Sequence, residues 1–232
     1  MKGLRSMSPS LDSPSDLSNE PLLSLRRAVK RYGASEVLRI PKFDVFSGDR
    51  IEITGSNSSG KSTLARILSG YGQLSEGTYH RSASLRQSPI GYLPQYGGVF
   101  PELTLLQNVS AISRLLGRKA EVNPHSEQVF ADLDLYDFLD RKAASLSGGI
   151  QRLGALAAIV SARPRGLILD EPFAGLDATK LEMVCDFLRA DRYAFEFILL
   201  TGHETSGVFA SGARVHIEQG EIQLNKSEAK GN

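Results

Sequence analysis

Apolar and polar positions partly alternate over residues 22–29 and again over 36–46, and each stretch gives way to a glycine-containing break, the pattern of short half-buried strands. Arg50-Ile51-Glu52-Ile53-Thr54 predicts a further strand that runs directly into Gly55. Beyond a glycine-rich loop the period changes, and Leu64, Ile67 and Leu68 follow the i, i+3, i+4 spacing of a helix laying one face on a sheet. From Pro101 to about Ser145 the chain reads as helical and surface-rich, with Leu105, Leu106, Val109, Ile112 and Leu115 spaced as one amphipathic helix, so this segment predicts a helical lobe between strand-rich parts. Residues 148–162 are nearly all apolar or small, which predicts a helix buried on most sides. Gly166-Leu167-Ile168-Leu169 and Phe197-Ile198-Leu199-Leu200 are continuous apolar runs, as central parallel strands covered on both faces are. A last strand is expected at Gly220-Glu221-Ile222-Gln223-Leu224, with a polar tail after it over 225–232 that leaves no room for a regulatory domain.

Composition narrows the class without choosing a partner. The 232 residues suffice for a substantial core, and 27 basic against 26 acidic residues leave neither a basic field for nucleic acid nor an acidic tail. The single cysteine, Cys185, keeps helical register with Leu181, Val184 and Leu188, so a core thiol is expected. One cysteine cannot close an internal disulfide, which suits a reducing cytoplasm. No apolar run approaches the roughly 18 residues of a membrane helix, and residues 1–20, rich in Ser, Pro and Asp without an apolar centre, read as a disordered tail rather than a signal peptide.

The chemistry concentrates at strand ends. Gly55-Ser56-Asn57-Ser58-Ser59-Gly60-Lys61-Ser62-Thr63 matches G-x-x-x-x-G-K-[ST] in full, between the strand and the helix that a phosphate-binding loop requires. Its glycines let backbone N–H groups and a helix N-terminus face an anion, Lys61 adds a point charge, and the Ser62 hydroxyl can ligate Mg²⁺. Leu167-Ile168-Leu169-Asp170-Glu171 ends an apolar strand in two carboxylates, where ligands of open parallel sheets bind. Asp170 would hold Mg²⁺ through water, leaving Glu171 for the attacking water. His203 follows the next apolar strand and Gln95 the apparent strand Ile90-Gly91-Tyr92-Leu93; His80, His125 and His216 read as structural or solvent-facing. Asp132, Asp134, Asp137 and Asp140 alternate with leucines and lack the glycine turn and ligand register of a hard-metal loop, so solvated carboxylates are expected there.

In chain order these elements resemble the nucleotide-binding domain of an ATP-binding cassette (ABC) ATPase over about residues 22–224. Tyr32, in Lys30-Arg31-Tyr32-Gly33, sits where the family places an aromatic on adenine; Gly55 to Thr63 corresponds to Walker A and Gln95 to the Q-loop glutamine. Leu146-Ser147-Gly148-Gly149-Ile150-Gln151 corresponds to the signature, Leu167 to Glu171 to Walker B, Ala174-Gly175-Leu176-Asp177 to the D-loop, and His203 to the switch histidine. The resemblance implies an α/β fold: a P-loop NTPase (RecA-like) core with a mostly parallel central sheet, an antiparallel β subdomain and an inserted α-helical subdomain at about 98–165, all within an ATPase domain spanning 21–224. It implies ATP and Mg²⁺ as cofactors, with Ser62, Gln95 and Asp170 on the metal and Glu171, His203 and Lys61 as catalytic groups. It also implies a head-to-tail dimer in which Ser147, Gly148 and Gly149 reach the nucleotide held by the Walker A of a second copy.

Two departures and two functional classes follow. Ile150 stands where the family most often has Gln, and the TEVGERG stretch of fused exporters is absent, with Asp140-Arg141-Lys142-Ala143-Ala144-Ser145 in its place. The leading expectation is the ATPase subunit of an ABC transporter, cytoplasmic and peripheral on the inner face of the membrane. It would dock on separate transmembrane permease subunits through the surface from Gln95 and Tyr96 to Leu116, with no direct nucleic-acid binding. The alternative is a soluble ABC ATPase of iron–sulfur cluster assembly.

Overall fold

The computed structural model describes residues 20–223 apart from 87, 120, 121 and 205; the two expected tails lie outside the described residues but for Glu20. Two sheets form. An antiparallel three-stranded sheet has the order β2 (Ser35–Val45), β1 (Leu23–Tyr32), β4 (Glu76–Arg81). The six-stranded sheet has the order β5 (Ile90–Leu93), β6 (Gly166–Asp170), β7 (Phe197–Thr201), β3 (Arg50–Thr54), β8 (Ala213–Glu218), β9 (Glu221–Gln223). All its pairs are parallel except the β8–β9 hairpin. The fold is therefore the expected α/β arrangement, with a mostly parallel sheet, an antiparallel sheet and a helical group.

The apolar runs of β6 and β7 resolve into two faces because side chains alternate across a strand. Leu167, Leu169, Ile198 and Leu200 join a core with α3 (Leu105–Leu115), α4 (Pro124–Asp132), α5 (Gly148–Ser161) and α6 (Ala178–Arg189). Ile168, Phe197 and Leu199 join the opposite core, with β1, β2, β3 and α1 (Lys61–Ser69). The sheet is thus a middle layer, and its crowding is severe at Gly166, where a Cβ would lie 2.1 Å from the Phe197 ring.

Local chemistry sets the helix starts. Thr104 and Gln107 form a capping box on α3, Asn123 caps α4 with Pro124 in its first turn, and Asp177 accepts from the Lys180 N–H at the start of α6. Helix α5 carries ten buried residues, and Cys185 of α6 is buried as expected. Leu115 departs from the expected amphipathic face: Leu105 and Val109 are buried, but Leu115, the last residue of α3, is 73% exposed. The patterning also passes over β4 and β8. Both are mostly exposed or half-exposed, so no alternation of buried apolar residues marks them. Among the described residues, no helix is long and apolar enough to cross a membrane.

Candidate nucleotide site

Strand β3 ends at Thr54, the chain turns through Gly55 to Gly60, and α1 begins at Lys61. Gly55 has φ 151° and lies so close to β8 that a Cβ would meet the Ile217 carbonyl oxygen at 2.1 Å; Gly60 has φ 108° and packs on the Val37 carbonyl. Both positions demand glycine on conformation and space. Lys61 is buried, and its Nζ donates to the carbonyls of Gly55 and Ser56, each at 2.8 Å. Burial pushes its pKa down, against the opposing pull of Glu171 and Asp170. The loop and its neighbours enclose a concavity of about 500 Å³ lined by Val37, Asn57 to Thr63, Gln95, Tyr96 and Glu171. That is the size range of small-molecule sites.

The carboxylates come from the C-terminal end of β6. Asp170 is fully buried; its Oδ1 accepts from Ser62 Oγ at 3.0 Å and from Thr201 Oγ1 at 2.5 Å, while Oδ2 is buried with no hydrogen-bond partner. An unpaired buried carboxylate oxygen beside a serine hydroxyl fits a hard divalent cation, which takes oxygen ligands. Glu171 holds φ 49°, a left-handed conformation costly for a non-glycine residue, and its N–H donates to Thr201 Oγ1 at 3.1 Å. Its Oε2 accepts from Gln95 Nε2 at 2.8 Å, and its Oε1 lies 3.6 Å from His203 Nε2. One carboxylate therefore sits between an amide donor from the end of β5 and an imidazole from the end of β7.

The remaining expected residues lie elsewhere. Tyr32 ends β1, 52% exposed, with Lys30 Nζ 4.8 Å from its ring centroid; it does not line the concavity, whereas Val37 of the adjoining strand does. None of Ser147, Gly148 and Gly149 lines it either. Ser147 caps α5 by accepting from the Ile150 N–H, and Ser147 and Gly148 face solvent. Gln95, expected among the metal ligands, is here engaged with Glu171.

Three contributors escaped sequence reasoning. Thr201 ties Asp170 to the Glu171 backbone, and Tyr96, expected only on the docking surface, is 83% exposed and lines the nucleotide concavity beside Gln95. The third is Arg152 of α5, buried, which donates to five carbonyls: Pro94, Gln95, Asp170, Glu171 and Pro172. A guanidinium is suited to this by its five fixed donors. Burial lowers its pKa, with Asp170 and Glu171 pulling the other way.

A strand–glycine loop–helix unit on β3 and α1, with an acid-ended strand, β6, on the far side of β7 in the same mostly parallel sheet, defines a P-loop nucleoside triphosphatase. Known proteins narrow that class. The ABC transporter family profile matches residues 38–174, and the chain belongs to that family. It is 28% identical to the lipoprotein-releasing system ATP-binding protein LolD of Leptospira interrogans over 86% of this chain and 90% of that protein. It is 30% identical to the Fe(3+) ions import ATP-binding protein FbpC of Escherichia coli O157:H7 over 84% of this chain, but spans only 58% of FbpC. In fold it is similar to the dimeric bacterial ABC transporter cassette MJ0796, with TM-score 0.76 and 22% identity over 87% of this chain and 96% of that one. A post-hydrolysis dimer of the same cassette bound to ADP and Pi gives TM-score 0.77 at 21% identity, over 90% of this chain and 100% of that one.

Proposed function

We propose that this chain is the ATP-binding and hydrolysing subunit of an ABC transporter, closing on a second copy when ATP binds and releasing it after hydrolysis. The observation that carries this reading is a division of the site. Lys61, Ser62, Gln95 and Glu171 line one concavity, with Asp170 bonded to Ser62 and His203 3.6 Å from Glu171, while Ser147, Gly148 and Gly149 of the α5 start do not line it and Ser147 and Gly148 face solvent. A helix N-terminus capped by serine is an anion site in need of an anion, and a second copy would supply it. The names of the relatives, ATP-binding proteins of release and import systems, support a transporter subunit over the iron–sulfur alternative.

In this reading the loop amides of Asn57 to Thr63 cradle the phosphates, and Lys61 exchanges its two carbonyl partners for phosphate oxygens. Ser62 and Asp170 would hold Mg²⁺, which supplies charge neutralisation at the phosphates; Gln95 is positioned to join them on leaving Glu171. Glu171 orients the attacking water and accepts its proton, and His203 contacts the terminal phosphate. Tyr32 on the β1–β2 sheet supports the adenine. The ATPase domain takes in residues 21–224, with α3, α4 and α5 in its helical subdomain at about 98–165.

The permease would dock in an apolar groove of about 340 Å³ next to Gln95, whose lining includes Tyr71, Tyr92, Pro94, Phe100, Leu115 and Leu116. Tyr71, Phe100 and Leu115 are 68%, 45% and 73% exposed, a patch of large apolar side chains that a partner protein would cover. Peripheral attachment to the membrane follows from that contact. Glu171→Gln tests the core of the proposal: turnover should fall by about 10²–10⁴-fold, and ultracentrifugation should show a dimer only with ATP. A variant that stays monomeric at saturating ATP, or that hydrolyses normally, would refute the shared site.

A further inference from the structure

Next to the apolar groove lies a second concavity of about 380 Å³ with a different character. Three arginines line it from separate elements: Arg81 at the end of β4, Arg86 at the end of the short helix α2 (Ala83–Arg86), and Arg118 just past α3. No Asp or Glu lines it, and none of the three forms an ion pair with a described residue, although nine other arginines and lysines among the described residues do.

Two of the guanidiniums are held in place by groups that leave their charge uncompensated. Arg81 donates to the Ser88 carbonyl, and its Nε is buried with no acceptor. Arg86 donates through Nε to the Arg81 carbonyl at 3.0 Å and lies 3.3 Å from His80 Nε2. Arg118 is exposed. Fixed arginine forks without carboxylates are arranged to receive one, because planar guanidinium and carboxylate pair bidentately. The pocket is also continuous with the groove: Tyr71, Leu115 and Leu116 line both. An occupant of the two together is apolar along one stretch and acidic at its end.

We propose that the pocket of Arg81, Arg86 and Arg118 receives one or more carboxylate side chains of the membrane-protein segment whose apolar face fills the adjoining groove. The inference rests on the docking reading above and adds the chemistry that selects the partner. The groove gives area that many apolar segments would fill, whereas three uncompensated arginines reject a segment whose corresponding position is basic. Charge complementarity of this kind sets specificity and rate of association more than raw affinity.

Photo-crosslinking in the full chain separates the two claims. A benzophenone amino acid is placed at Leu115 or, separately, at Arg118, the chain is irradiated in host membranes, and the adducts are mapped by mass spectrometry. Both adducts are expected on one segment of one membrane protein, with an Asp or Glu within about one helical turn of the Arg118 attachment. The double variant Arg86→Glu, Arg118→Glu, at two exposed positions that do not line the nucleotide concavity, should keep basal turnover within about twofold. It should lower co-purification of that membrane protein at least tenfold, the loss of about one strong charge pair. Changing the partner's carboxylate to Lys should restore it. An Arg118 adduct on lipid, an adduct on a segment without carboxylates, or co-purification within twofold of wild type overturns the arginine pocket while a Leu115 adduct keeps the docking reading. A Leu115 site that attaches to no membrane protein overturns both.

Discussion

Removing the guanidinium of Arg152 should separate catalysis from nucleotide binding. Its five acceptors come from two segments, Pro94 and Gln95 after β5 and Asp170, Glu171 and Pro172 at and just beyond the end of β6, with donor–acceptor distances from 2.5 to 3.4 Å. In Arg152→Gln the amide reaches at most two of these carbonyls. Bonds from a charged donor are worth about 1.5–3 kcal/mol each, but the variant also escapes the several kcal/mol needed to bury a charge. The net loss of stability should be about 2–4 kcal/mol, measured as a shift of the urea midpoint. This leaves a chain of ordinary stability, about 5–15 kcal/mol, largely folded at 25 °C.

Activity should fall further than folding explains. The carbonyls released belong to the residues that carry Gln95 and Glu171, and loosening a reacting group by about 1 Å costs on the order of 10²-fold. We expect kcat for ATP to drop roughly 10- to 100-fold, with KM within about threefold, since none of the five acceptors lies in Gly55 to Thr63. Arg152→Lys, which keeps the charge but loses the fork, should fall between. A folded Arg152→Gln protein with wild-type kcat would show that the bonds only fill space, and a raised KM at constant kcat would place Arg152 in binding.

Three further outcomes follow from the geometry. Gly166→Ala puts a methyl 2.1 Å from the buried Phe197 ring, so it should destabilise by about 3 kcal/mol and lower Tm by roughly 6–12 °C; a shift under 2 °C by calorimetry would contradict the packing. Ile150→Gln should leave turnover within about threefold, because residue 150 meets the Ser147 cap through its backbone N–H, while lost apolar packing costs about 1 kcal/mol; a change beyond tenfold would give the side chain a catalytic task. Burial pushes the Asp44 carboxyl up, but hydrogen bonds from Arg26 and Lys42 outweigh it and hold its pKa below the usual range. The resulting stabilisation is present above the unfolded pKa of about 3.9 and is lost as pH falls through the lower folded value. With Arg26 41% exposed, Arg26→Met should cost only about 0.5–1 kcal/mol at pH 7 and progressively less below pH ~4; an equal cost at pH 7 and pH 3 in urea melts would rule the pair out.

What the chain disclosed in its sequence, and what it withheld, follows from where each signal is stored. The phosphate loop was legible because its constraints fall on residue type: Gly55 and Gly60 need positive φ and space, and no other residue supplies both. Strands β6 and β7 were legible because both their faces are covered, which enforces an unbroken apolar run. Strands β4 and β8, largely exposed, carry no such enforcement. Arg152, the residue after the Leu146 to Gln151 stretch, gave no sign of being a hub, since its partners are main-chain carbonyls, which any residue offers. The same reasoning bears on how the site works. Arg152 is three residues beyond Gly149 on α5, so the helix that in the proposed dimer would present Ser147 and Gly149 to a second copy is fastened by one side chain to the backbones of Gln95 and Glu171. Were α5 to shift on engaging the partner's nucleotide in that dimer, the glutamine that holds Glu171 would be displaced with it. In the proposed dimer, the residue that joins the two half-sites is one that touches neither nucleotide.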